Sequence, residues 1–231
     1  MKQIDFGTYN FDPEAYAAEV RKIYNDFPDG VCLSPEYAHF LQNDTLRLLI
    51  RLARYKFIAR LIKKEDSILE VGSGSGMGSI FLGQHCKKVR GIDIKESEVN
   101  DAIALNKRSN VEFSKEDLFD IDVKELYDVI VSLDVIEHMP DGLDAKLIET
   151  KLKHLKDSGM IIVGTPSHYS YEHQSAISKA SHFKCFDLPD LEKLVGKYVQ
   201  RTLSFSMNDE LVHTGYYKMA WYYFVIGFGK K

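Results

Sequence analysis

The sequence predicts an α/β fold whose largely parallel sheet carries helices on both faces. Three observations predict it. Between Ser67 and Pro166, five short apolar runs alternate with helical patterns, as successive βαβ units require. The first run, Ile68 to Val71, breaks into Gly72, Gly74 and Gly76 before an apolar helix begins near Met77. The second run closes on an acid, Asp93, about 20 residues further on, where a doubly wound sheet binds ligands.

Residues 1–45 are aromatic and rich in loop formers, among them Tyr9, Phe11, Tyr16, Tyr24 and Phe27. Helical patches are expected from Pro13 to Tyr24 and from Pro35 to Gln42. A strong helix follows from Leu46 to Ile62, with Leu46, Leu49, Ile50, Ala53, Phe57, Ile58 and Leu61 at helical spacing. Asn43, Asp44 or Thr45 can cap it. Its polar positions are basic: Arg47, Arg51, Arg54, Lys56 and Arg60. Helices are expected at 77–85, 97–106, 143–155 and 188–198, the last with Pro189 in its first turn, where proline is tolerated. Strands are expected at 68–71, up to Asp93, at 111–114, 127–133, 159–166, 200–206 and 219–228. That makes seven. Tyr127 to Leu133 is nearly all apolar, as a central parallel strand should be.

Alternate glycines let the backbone turn tightly and let a ligand lie against it. With Asp93 placed to hold two ribose hydroxyls, they indicate an adenosine-containing cofactor. The spacing G-x-G-x-G differs from the dinucleotide fingerprint, and Glu70 precedes it. A carboxylate there suits a cationic amino-acid end better than a pyrophosphate. In these residues the chain resembles the class I S-adenosylmethionine (SAM)-dependent methyltransferases. The resemblance implies a Rossmann-like fold: a doubly wound, mostly parallel seven-stranded sheet ending in an antiparallel hairpin. It implies a SAM-binding domain over 46–231 and an N-terminal lid over 1–45, which could alternatively just cover one sheet face. It assigns Glu70, Gly72, Ser73, Gly74, Asp93 and Ile94 to the cofactor. It gives Asp117 and Leu118 the adenine. Because the basic helix immediately precedes the first strand, Arg47 or Arg54 is placed to meet the SAM carboxylate or an anionic acceptor, unless the arginine face is merely solvated.

The segment Asp134 to His138 is similar to the E-x-x-E-H segment of ubiquinone-pathway O-methyltransferases. That similarity places Leu133 or its neighbour against the cofactor and makes His138 the candidate base, with a helix-capping histidine as the alternative. It also raises a divalent metal ion held by Asp134, Glu137, His138 and the later His182; the donors suit magnesium, manganese or zinc. If the closing hairpin holds, Asn208, Asp209, Glu210 and His213 face the substrate, and His168 and His213 join the catalytic candidates. The stretch from Met207 to Gly215, with Met219 and Ala220, also resembles methyltransferases of bacterial surface-polysaccharide synthesis. It implies a sugar, sugar nucleotide or phosphorylated precursor as acceptor.

Composition sets the rivals. A net charge of −4 argues against a nucleic-acid surface. Three dispersed cysteines, Cys32, Cys86 and Cys185, point to a reducing, cytoplasmic setting. The run from Met219 to Phe228 is too short to span a bilayer, and no apolar signal core opens the chain. The expected partner is a small-molecule acceptor. A quinone-precursor O-methyltransferase and a non-catalytic SAM-fold binding protein are the competing readings.

Overall fold

The computed structural model describes residues 12–231, with Ile177 for its backbone only. Tyr9 and Phe11 lie outside that range. The described chain falls into two compact units divided after Cys32. In the first, α1 (Pro13–Asp26) has Pro13 in its first turn and is capped by Asp12, whose carboxylate accepts from the Glu14 and Ala15 N–H groups at 3.0 Å each.

The second unit holds α2 (Pro35–Asn43), α3 (Thr45–Ala59) and the sheet with its covering helices. Asp44 ends α2 and caps α3 through the Arg47 N–H at 3.2 Å, so one residue fixes the corner between them. The strands are β1 (Ser67–Val71), β2 (Lys88–Asp93), β3 (Val111–Lys115), β4 (Tyr127–Leu133), β5 (Leu155–Pro166), β6 (Val199–Asn208), β7 (Leu211–His213) and β8 (Tyr222–Lys230). They lie in the order β3-β2-β1-β4-β5-β8-β6-β7. The first five pair in parallel; β8 pairs antiparallel with β5 and β6, and β6 with β7. The chain leaves β1 for β2 and β3, then returns to β4 on the other side. The resulting switch point lies between the C-terminal ends of β1 and β4, where such sheets open a crevice.

The helices along the sheet are α4 (Met77–Leu82), α5 (Glu96–Leu105), α6 (Leu143–Lys153), α7 (Ala176–Ser181) and α8 (Leu188–Gly196). Alternate residues of each strand feed opposite faces. Leu69, Ile130, Ile161 and Val163 pack with Leu147 and Ile148 of α6 and Leu191 and Val195 of α8. Ile68, Val129, Val131 and Ile162 pack with Ala53 and Ile58 of α3 and Leu82 of α4.

The sheet has eight strands, not seven. The addition is β7, which turns back on β6 after Asp209 and Glu210, pairing Asn208 with Leu211 and Ser206 with His213. Asp209 makes the turn in the left-handed region at φ 48°. Three residues, with Leu211 71% exposed, give no periodic signal. The run expected from Met219 starts as a strand only at Tyr222, because Tyr217–Met219 forms a 3-10 turn.

Candidate active site

The glycine turn forms one side of a cavity of about 570 Å³. Gly72, Gly74 and Gly76 have φ of 76°, 51° and 85°, so all three occupy the left-handed region. A Cβ on Gly72 would stand 2.4 Å from Val135 Cγ2, which fixes how closely the turn approaches the β4 loop. Asp93 ends β2 with its carboxylate held by two backbone donors, the Gly74 N–H at 2.9 Å and the Lys95 N–H at 2.9 Å. The lone pairs left over face the cavity and suit a pair of vicinal hydroxyls. Ile94, Leu118, Phe119, Met139 and Leu147 supply apolar wall beside Asp117. Ser73, Leu133 and Arg54 also line this cavity. Ser34 caps α2 through the Tyr37 N–H and donates its hydroxyl proton to Ser75 Oγ at 3.0 Å, tying α2 to the glycine turn. Glu36 and Tyr37 of α2 thereby join the lining.

Glu70 does not join it. Its buried carboxylate accepts from Tyr55 Oη at 2.8 Å and from the Ser79 hydroxyl. Burial pushes its pKa up to about 7 against the pull of those two donors. The expected contact with a ligand's cationic end gives way to a bond network between α3, β1 and α4, because strand alternation turns this side chain under the glycine turn.

A second cavity, of about 560 Å³, shares a wall with the first. Glu36, Arg51, Arg54, Lys95, Asp134, His138 and Ser181 line both. The arginines are already paired: Arg47 with Asp44 at 3.1 Å, Arg51 with Glu36 at 3.0 Å and Arg54 with Asp134 at 2.5 Å. Arg54 also lies over the Tyr222 ring at 3.7 Å. Asp134 is a non-glycine residue held at φ 55°, a conformation that persists only when its surroundings impose it.

Glu137, His138 and His182 converge, with one potential ligand atom from each within 4.8 Å of the others. Glu137 Oε2 accepts from Thr165 at 2.9 Å, while Oε1 is buried without a hydrogen-bond partner among the described residues. Burial, then the nearby Asp134 charge, pushes the Glu137 pKa up to about 8. Among the described residues, His182 Nδ1 is likewise buried without a hydrogen-bond partner. Burial, then His138, lowers its pKa. Ser181 O, which can only accept, lies 2.9 Å from His138 Nδ1, so Nδ1 carries the proton and Nε2 offers its lone pair. Two orphaned buried ligand atoms beside a free imidazole nitrogen fit a divalent ion of the zinc or manganese type. Asp134, expected among the ligands, is outside this trio and bonded to Arg54.

His168 and His213 line neither cavity. His168 is exposed with its ring 5.4 Å from that of Tyr169. His213 Nδ1 accepts from the Gly215 N–H at 3.0 Å within its own turn. Of the hairpin residues expected at the acceptor, Asp209 reaches the second cavity. Residues that sequence reasoning passed over are Tyr55, Glu36, Gln174 and Trp221, none of which carries a periodic or motif signal; Arg51 was read only as part of the basic face of α3.

This fold and site define a class I methyltransferase. The model of a methyltransferase domain matches residues 37–198, and the chain belongs to the class I SAM-dependent methyltransferase family. A ubiquinone biosynthesis O-methyltransferase of Rickettsia conorii is 31% identical over 134 residues, 56% of this chain and 45% of that protein. One from Coxiella burnetii is 30% identical over 122 residues, 51% of each. The chain thus spans about half the length of the curated relatives it matches. Among solved structures, the N-methyltransferase NodS of Bradyrhizobium japonicum, in complex with S-adenosylhomocysteine, superposes with a TM-score of 0.58 at 17% identity, over 78% of this chain and 87% of that one. The plantazolicin methyltransferase BpumL gives 0.65 at 15% identity, over 94% and 98%. At such identities these two share the fold.

Proposed function

We propose that this protein uses SAM to methylate a hydroxyl oxygen of a small polar acceptor held in the second cavity. The observation that carries the reading is the wall common to both cavities. A methyl group can reach an acceptor only where donor and acceptor sites meet, and His138 stands there. Asp93 suits the ribose hydroxyls, and the wall around Leu118 suits adenine. Family membership supports the cofactor, as do the S-adenosylhomocysteine complexes of NodS and BpumL. The names of the curated relatives support oxygen as the atom methylated.

In this reading His138 Nε2 accepts the hydroxyl proton as the oxygen attacks. Thr165 and Ser181 orient Glu137 and His138. In the alternative form of this reading, Glu137, His138 and His182 would hold a divalent ion, with His138 Nε2 a ligand instead of the base; such an ion would lower the pKa of a coordinated hydroxyl. The carboxylate partners of Arg47, Arg51 and Arg54 favour an uncharged polyol, such as a sugar, over a phosphorylated one. A second reading, a phenolic quinone precursor, is favoured by the relatives' names and by Leu46, Ile50 and Met207 in the cavity.

Calorimetric titration with S-adenosylhomocysteine tests the core of the proposal. Binding to the wild type and its loss in Asp93→Ala is the expected result. A wild-type protein that binds none sinks the reading. A subsequent screen with labelled SAM separates the acceptors; transfer only to dihydroxybenzoates would move the assignment to the second reading.

A further inference from the structure

The second cavity also holds an aromatic pair. Trp221, the only tryptophan of the chain, lines it with 49% of its surface exposed. The ring of His173, another lining residue, lies 5.2 Å away at a tilt of 51°. The Trp221 backbone is fixed on both sides. Its N–H donates to Met207 O at 3.1 Å and to Asn208 Oδ1 at 3.1 Å, and its carbonyl accepts from the Ser167 N–H at 2.9 Å. A large apolar face is therefore held firmly at a cavity wall while staying open to solvent.

Beside this pair stands an unmet acceptor. Ser170 gives its hydroxyl proton to Ser167 O at 2.8 Å, so towards Gln174, at 3.3 Å, it can only accept. That fixes the Gln174 amide with Nε2 on Ser170. Oε1 is left buried with no hydrogen-bond partner among the described residues, and Gln174 lines the cavity. Unsatisfied buried acceptors are uncommon and call for a donor. Ser175 and Ser178 of the same wall add hydroxyls.

We infer that Trp221 and His173 form a stacking platform for the ring of the acceptor, with Gln174 Oε1 accepting from one of its edge hydroxyls. The inference rests on the second cavity being the acceptor site. It specifies the chemistry: a ring with an apolar face and hydroxyls on its rim, whether a pyranose or a phenol. Aromatic faces take such rings, and the few polar groups around them fix orientation.

The test uses the full chain loaded with S-adenosylhomocysteine. One arm is titrated with a panel of methyl glycosides, the other with a panel of dihydroxybenzoates. Calorimetry gives affinity and Trp221 emission reports ring contact. One arm is expected to bind and to perturb the emission. Trp221→Ala should then weaken that ligand about tenfold, Gln174→Leu should weaken it too, and Trp221→Phe should retain most of the affinity. In a turnover assay with a methylated member of that arm, the loss should fall on KM with kcat nearly kept. Affinity for S-adenosylhomocysteine should stay as in the wild type, which shows that the variants fold. Intact S-adenosylhomocysteine binding with neither arm bound, or with an acceptor indifferent to Trp221→Ala, overturns this proposal alone. Failure of the wild type to bind S-adenosylhomocysteine overturns the methyltransferase reading and this one with it.

Discussion

Gly78 has no left-handed backbone and still admits no side chain. A Cβ there would lie 2.0 Å from Tyr55 Cζ and 2.4 Å from its hydroxyl oxygen. The same hydroxyl donates to Glu70, so the close approach of α4 to α3 is what lets Tyr55 reach under the glycine turn. Gly78→Ala is expected to cost about 1–3 kcal/mol of stability through overpacking, read by urea denaturation. An unchanged midpoint would mean that Tyr55 moves aside freely. Glu70 predicts a pH dependence. Its folded pKa of about 7 lies above the ordinary value of 4.5. Between those values the folded chain keeps a proton that the unfolded chain has released. The stabilising contribution is therefore complete below about pH 4.5 and is lost as pH rises through about 7. Glu70→Gln should flatten the fall in stability between pH 5 and pH 8; a slope identical to the wild type would assign the effect to another group.

At the scale of elements, α3 serves both cavities. It brings Arg51 and Arg54 to the shared wall, sends Tyr55 to Glu70 and packs Ala53 and Ile58 into the core. Arg54 acts through its shape as well as its charge, since it stacks on Tyr222 while holding Asp134. Arg54→Lys keeps the charge but not the planar stack. It is expected to weaken S-adenosylhomocysteine binding by about 1 kcal/mol, or roughly fivefold, measured by calorimetry; full affinity would confine Arg54 to a structural role. The helical spacing of α3, the apolar runs of β1 to β5 and the turn between Val71 and Met77 were legible because each signal is local and repeats with its own period. So were Asp93, Asp117 and Leu118, which sit where strands end. What was not legible depends on contacts between distant segments. Nothing in Leu211 to His213 shows that β6 will accept another strand. Glu70 reads as a ligand carboxylate until Tyr55, fifteen residues earlier, is found bonded to it. Trp221 gained a role only when the pairing of β6 with β8 set it beside the loop after β5.

At the scale of the whole molecule, the sheet gathers residues that the chain keeps far apart. Glu137 and His138 follow β4, whereas His182 comes from the segment after α7. That segment is bound back to the β4 loop, with the Phe183 N–H donating to Glu137 O at 2.8 Å and His138 Nδ1 donating to Ser181 O at 2.9 Å. A divalent ion joining Glu137 to His182 would therefore fasten two connections at the second cavity and favour the folded chain. Among the described residues, no helix is long and apolar enough to cross a membrane. Thermal unfolding measures the effect of the ion. Manganese at a hundred times its dissociation constant should stabilise the protein by about 2.7 kcal/mol. For a chain of this size that is a rise in Tm of roughly 5–10 °C, reversed by a chelator. Glu137→Gln and His182→Ala should each abolish the rise, while Asp134→Asn should keep most of it, because Asp134 is bonded to Arg54 and stands outside the trio. A Tm indifferent to manganese and zinc would leave His138 to act as a base without a metal. A rise that persists in both Glu137→Gln and His182→Ala would place the ion elsewhere.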